Sequence, residues 1–186
     1  MKRSESKRVH SERFLFPQIV MSRPYILVVC TANICRSPVA EVLLRTKLNA
    51  AGLTDWTVSS AGTWAEPGHT AAPFSIALMA ERGLDIRSHR SQPVTDQLMQ
   101  QADLLLCMET DHAQTLRQDY PVHQHKIYTI RQMAGQRGSV RDPYGGSRRQ
   151  YERMVAEVDE LIEQGFPRIR EVAQENFQRR GKDGSS

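Results

Sequence analysis

Five consecutive apolar residues, Tyr25-Ile26-Leu27-Val28-Val29, form the first strongly patterned segment of the chain. A short continuous run of this kind, ending at a polar loop, reads as a buried strand. Val39-Ala40-Glu41-Val42-Leu43-Leu44 follows with a helical pattern, predicting a helix over 37–51 that Gly52 closes. Trp56 to Ser59 reads as a second strand, Pro73 to Arg82 as a helix stopped by Gly83, and Thr95 to Gln101 as a short helix. Leu104 to Met108 and Lys126 to Ile130 supply two more strands, separated by a helix near 111–118. After Ser147 the apolar residues Tyr151, Met154, Val155, Val158, Leu161 and Ile162 recur at spacings of three and four, the stripe of a helix facing a sheet. Strands alternating with helices, without internal repeat or long linker, predict a single-domain α/β fold around a parallel sheet.

Composition agrees with one compact domain: 186 residues and 39% hydrophobic content suffice for a core. The net charge of +4 is misleading, because residues 1–23 hold six basic and two acidic side chains, whereas residues 24–186 hold 19 of each. The body therefore lacks the overall basic footprint of a nucleic-acid binder, and no nucleic-acid partner is expected. The segment Phe14-Leu15-Phe16-Pro17-Gln18-Ile19-Val20 is short and broken by Pro17 and Gln18, so no membrane span is expected either. Residues 1–23 read as a disordered extension ahead of Met21-Ser22-Arg23-Pro24, which resembles a natural chain start, and the first twenty residues are expected to be dispensable. A folded domain over 24–178 and a flexible tail over 179–186, rich in Arg, Gly and Ser, complete the expected organisation. Three cysteines, two of them in one loop, do not make a disulfide framework; a working thiol needs a reducing compartment, and the cytoplasm is expected.

The candidate chemistry sits between the first strand and the first helix, in Cys30-Thr31-Ala32-Asn33-Ile34-Cys35-Arg36-Ser37. The first turn of a helix presents unpaired N–H groups and a positive dipole end, which together hold a tetrahedral oxyanion. A free cysteine with pKa near 8.5 is a weak nucleophile at neutral pH, and the same N–H groups together with Arg36 favour Cys30 as thiolate. Arg36 lies six positions on, where a loop wrapped round one anion brings its planar fork onto two phosphate oxygens, a contact lysine cannot copy. The spacing alone is weak, since a bare Cys-(x)5-Arg arises by chance in roughly a third of such chains. Farther on, Arg141-Asp142-Pro143-Tyr144-Gly145-Gly146-Ser147 would by itself be an ordinary turn.

Val29-Cys30-Thr31-Ala32-Asn33-Ile34-Cys35-Arg36-Ser37-Pro38 resembles the signature V-C-x-G-N-x-C-R-S-P of the low-molecular-weight protein tyrosine phosphatases, with Ala32 where the family usually has glycine. The likeness extends over most of residues 25–166 and implies a four-stranded parallel sheet of order 2-1-3-4 with Cys30 at a strand's carboxyl end, where open α/β sheets bind ligands. It implies hydrolysis of phosphotyrosine through a phosphocysteine on Cys30, with Arg36 binding phosphate and Asp142 as general acid and then base. Thr31, Ala32, Asn33, Ile34, Cys35 and Ser37 would complete the phosphate-binding loop, and Trp64 and Tyr144 would flank the substrate, although Trp64 also fits a core position. His89 would hydrogen-bond Asn33 from behind, and Cys35 would be placed to form a reversible disulfide with Cys30. No cofactor and no metal are implied; the partner is a phosphorylated protein, and the chain is expected as a monomer or weak homodimer. In the family the position of Ile34 helps to choose the substrate: isoleucine is typical of tyrosine phosphatases and threonine of the arginine-specific bacterial branch. Asp-Pro-Tyr-Gly-Gly-Ser and the stretch Tyr128-Thr129-Ile130 look more like the bacterial branch that includes arginine phosphatases, which keeps that activity as an alternative. A thiol-dependent arsenate reductase would need further relay cysteines, and only Cys107 is available; a non-catalytic phosphate binder would need neither Cys30 nor Asp142.

Overall fold

In the computed structural model, which describes residues 23–183, the first apolar run is strand β1 (Tyr25–Cys30), buried along its whole length. It has neighbours on both edges, β2 (Thr57–Gly62) and β3 (Leu104–Cys107), and β4 (Ile127–Thr129) pairs with β3; all pairings are parallel, and the order is β2-β1-β3-β4. A strand covered on both faces has no reason to alternate apolar with polar residues, which is why β1 and β3 read as continuous runs. Successive side chains still point to opposite faces: Ile26, Val28 and Cys30 join one cluster and Tyr25, Leu27 and Val29 the other.

Helices α1 (Arg36–Ala50), α2 (Pro73–Glu81) and α6 (Arg148–Asp183) enclose the larger cluster, with α3 (Asp96–Gln101) and α4 (Thr110–Asp119) on the opposite face. The expected stripe of α6 is buried throughout, from Tyr151 to Ile162, and each such side chain contributes about 1.5–3 kcal/mol on burial. A 3₁₀ turn (Pro121–Lys126) and the four-residue α5 (Ile130–Met133) were not expected from the sequence. Thr129 makes α5 possible through a capping box with Gln132, a local signal too short to show as periodicity.

The tail expected to be flexible from Arg179 is helical through Asp183, because α6 is anchored to the amino-terminal end of the sheet. Arg180 pairs with the buried Asp103 (Nε to Oδ1, 2.9 Å), and Asn176 donates to the Asp103 carbonyl at 2.9 Å. The extension expected over residues 1–23 lies, apart from Arg23, outside the described residues, as do residues 184–186. Among the described residues no helix is long and apolar enough to cross a membrane.

Candidate active site

The end of β1 and the start of α1 are joined by residues 31–35, which curl rather than extend. The curl turns on Asn33, at φ 57, the only described non-glycine residue in the left-handed region. Asparagine tolerates that conformation better than most side chains, and Ala32, where the family usually has glycine, does not have to adopt it. Asn33 is fully buried and tied on every side: its Nδ2 donates to Ser37 Oγ and Ser60 Oγ, both at 2.8 Å, and its Oδ1 accepts from Gln92 N at 3.0 Å. His89 Nε2–H donates to the Asn33 carbonyl at 2.7 Å, so this histidine supports the loop through the backbone and not through the amide side chain.

These bonds have a direction. Ser60 donates to Glu41 Oε2 at 2.6 Å and accepts from Asn33; Ser37 likewise accepts from Asn33, which leaves its own proton for the Cys30 sulfur 3.0 Å away. Cys35, the other thiol in the loop, contacts Tyr151 Oη at 3.3 Å, and burial pushes it up to about 11, so it stays protonated at neutral pH. Cys107 is packed within β3 and pushed by burial up to about 12, which leaves it unsuited to relay a disulfide. All three cysteines are free.

Arg36 opens α1 and is 1% exposed, an arrangement that requires compensation for its charge. Its Nη1 bonds Glu109 and the Val140 carbonyl (3.0 Å), and its Nη2 bonds Thr31 Oγ1 (3.0 Å) and Asp142 Oδ2 (2.6 Å). Arg36 Nε is buried without a partner among the described residues. The backbone amides of residues 31–35 likewise donate to no other group among the described residues, and no side chain caps α1. Thr31 Oγ1 accepts from Arg36 and shares a hydrogen bond of 3.1 Å with His112 Nε2. His112 is held below the usual histidine value, first by burial, and its Nδ1 has no partner among the described residues.

The loop and Asp142 close round a cavity of about 260 Å³ lined by Cys30, Thr31, Ala32, Ile34, Cys35, Arg36, Asp142 and Tyr144. Asn33, Ser37 and His89 stand behind the loop and shape it. Trp64, at 83% exposure, is not core; its side chain is not among those lining the cavity, and its amide donates to the Thr31 carbonyl at 2.9 Å. Glu109, His112, Ser60 and Glu41 had not been singled out from the sequence. Glu109 carried a readable signal, a carboxylate just past the carboxyl end of β3 beside a strand that ends in a candidate phosphate loop.

A parallel α/β sheet with a thiol, a buried guanidinium and a ring of unpaired amides at its carboxyl edge defines a phosphate-handling protein with a cysteine at its centre. The model of the low molecular weight phosphotyrosine protein phosphatases matches residues 25–176, and the chain belongs to that family. A protein-arginine-phosphatase of Bacillus subtilis is 36% identical over 140 residues, 75% of this chain and 92% of that protein. The crystal structure of a low molecular weight protein tyrosine phosphatase from T. tengcongensis superposes with a TM-score of 0.74 at 36% identity, covering 78% of this chain and 99% of that one. A cysteine-to-serine mutant of the YwlE arginine phosphatase, with its active site serine phosphorylated, superposes at 0.72 with 35% identity, covering 75% of this chain and 91% of that one.

Proposed function

We propose that this chain hydrolyses phosphotyrosine in proteins, with Cys30 as nucleophile, Arg36 as phosphate ligand and Asp142 as proton donor and acceptor. The observation that carries the reading is the set of donors left unpaired round one small cavity: the amides of residues 31–35 and the buried Arg36 Nε. Donors in such a position need acceptors, and a phosphoryl group brings three oxygens in a geometry that a loop and a planar fork can meet together.

The Cys30 thiolate attacks phosphorus, the bond to the leaving oxygen breaks, and Asp142 gives that oxygen its proton. Water then attacks the phosphocysteine and loses a proton to the Asp142 carboxylate, the sulfur–phosphorus bond breaks, and inorganic phosphate leaves with the thiolate restored. Phosphorylation of the serine that replaces cysteine in the YwlE mutant supports a covalent step at this loop position. Ile34 supports the aromatic substrate: it lines the cavity, packs against the core and offers no hydrogen-bonding group to a guanidinium. The thiol's need for a reducing compartment makes the cytoplasm the proposed location.

Hydrolysis of p-nitrophenyl phosphate tests the chemistry. Activity is expected without added metal, abolished in Cys30→Ser and reduced about 10²- to 10⁴-fold in Asp142→Ala. Activity that survives Cys30→Ser refutes the mechanism, and loss of activity on chelation would identify a metal enzyme instead. Rates on phosphotyrosine and phosphoarginine peptides, before and after Ile34→Thr, test the substrate; an unchanged ratio shows that this side chain does not set it.

A further inference from the structure

Eight of the sixteen arginines in residues 24–186 pair with carboxylates, among them Arg45 with Glu41, Arg82 with Asp159, Arg131 with Glu157, Arg148 with Glu81 and Glu152, and Arg168 with Glu171, and four of the other eight stand together. Arg137, Arg141, Arg149 and Arg153 have no such partner among the described residues, and all four flank the Asp142 loop. Two lie in the segment between α5 and α6, and two lie on the opening turns of α6.

This grouping works against the fold. Arg149 and Arg153 are like charges one helical turn apart, which repel. They also crowd the amino-terminal end of α6, where the helix dipole disfavours cations and no acidic residue of the first turn offsets them. Because residues 24–186 carry equal numbers of acidic and basic side chains, the local excess is a matter of placement, not of composition.

Arg141 and Arg153 line a second cavity of about 190 Å³, floored by Pro143 and Met154. Asp142 lines both this cavity and the one over the phosphate loop, so the Asp142 loop is their common wall. Two carboxylates touch the second cavity and both are engaged elsewhere: Asp142 with Arg36, and Glu157 with Arg131. What remains is a pair of uncommitted guanidinium groups above an apolar floor, beside the place where a substrate's phosphoryl group is bound.

We propose that Arg141 and Arg153 form a subsite for an acidic side chain of the substrate, selecting phosphoproteins with aspartate or glutamate close to the phosphorylated residue. This rests on the phosphatase reading above. A carboxylate offers the two oxygens that a guanidinium fork binds, and the methylenes of glutamate suit Pro143 and Met154. Because Asp142 lines both cavities, an extended substrate chain brings the selected acid close in sequence to the phosphorylated residue.

The test compares kcat/KM for two phosphotyrosine peptides of equal length, one with glutamates and one with glutamines at the flanking positions, and for p-nitrophenyl phosphate. The wild-type chain should prefer the acidic peptide by about 3- to 10-fold at low salt, with the preference shrinking as ionic strength rises. Arg141→Gln/Arg153→Gln should abolish the preference, Arg153→Glu should reverse it, and Arg153→Lys should retain part of it; the Arg153 variants should match wild type on p-nitrophenyl phosphate. Equal hydrolysis of both peptides by wild type, a preference that survives in the double variant, or a parallel loss on p-nitrophenyl phosphate overturns the proposal. Failure of the wild-type chain on every phosphate ester would overturn the phosphatase reading itself, a different result from equal hydrolysis of the two peptides.

Discussion

Replacing Arg36 with lysine keeps a positive charge in the loop and removes the fork. Around Arg36 stand four acceptors: Glu109, the Val140 carbonyl, Thr31 Oγ1 and Asp142 Oδ2. Lysine has three donors on one nitrogen, so at least one acceptor is left unserved. A buried carbonyl without a partner costs about 1–3 kcal/mol, and a lost charge-assisted bond about 1.5–3 kcal/mol. Folding should therefore lose about 2–5 kcal/mol, which for a chain of this size lowers Tm by roughly 5–15 °C. Nε, the donor still unpaired, is absent from lysine altogether, and kcat/KM for p-nitrophenyl phosphate should fall about 10²- to 10³-fold. Thermal unfolding by circular dichroism and steady-state kinetics on the same preparation measure the two effects. A Tm within about 1 °C of wild type, or a kcat/KM within about threefold, would refute the claim that the fork accounts for arginine at this position.

Gly62 closes β2 against the loop: a Cβ there would lie 2.3 Å from the Thr31 carbonyl and 3.0 Å from Asn33 N. Gly62→Ala should displace the loop, costing about 1–3 kcal/mol of stability and on the order of 100-fold in kcat/KM; wild-type kinetics would show that the loop tolerates the shift. For His112, whose folded value is depressed by burial, the unfolded chain takes up the proton first as pH falls through about 6.5. Stability from this group is present above that pH and declines below it; denaturant unfolding at about pH 7.5 and 5.5 should show a smaller drop for His112→Gln than for wild type, and an equal drop excludes His112 as its source. Arg180→Ala removes the partner of Asp103 at the far end of the sheet and should cost about 1–3 kcal/mol without changing kcat/KM; a kinetic defect would show that the anchor reaches the site.

The fold was legible because its strands are buried on both faces and its longest helix carries an unbroken stripe; Tyr25 to Val29 and Tyr151 to Ile162 needed no tertiary information. The phosphate loop was legible because its residues are contiguous. What surrounds it was not: Glu109, His112, Ser60 and Glu41 reach the loop from the end of β3, α4, β2 and α1, and each alone is an ordinary polar residue. The length of α6 was missed because its end is fixed by Asp103, far away in the chain, and not by a local stop signal. For Trp64 the sequence left a core position and a place beside the substrate both open, and its exposure removes the first.

Asp142 Oδ2 lies 2.6 Å from Arg36 Nη2, so a carboxylate of the chain already holds a donor that a substrate oxygen needs. On the proposed mechanism an incoming anion must evict it, and a small monoanion that merely exchanges one bond for another gains nothing by doing so. A phosphoryl group brings enough oxygens to take Nη2, the unpaired Nε and the loop amides at once, and so wins the exchange. Eviction also frees the Asp142 carboxyl group at the rim, beside the leaving oxygen, where the proton it takes from water in one turnover can be given in the next. Admission of the right ligand and arming of the acid are thereby one event, and the site guards itself with the group it later uses.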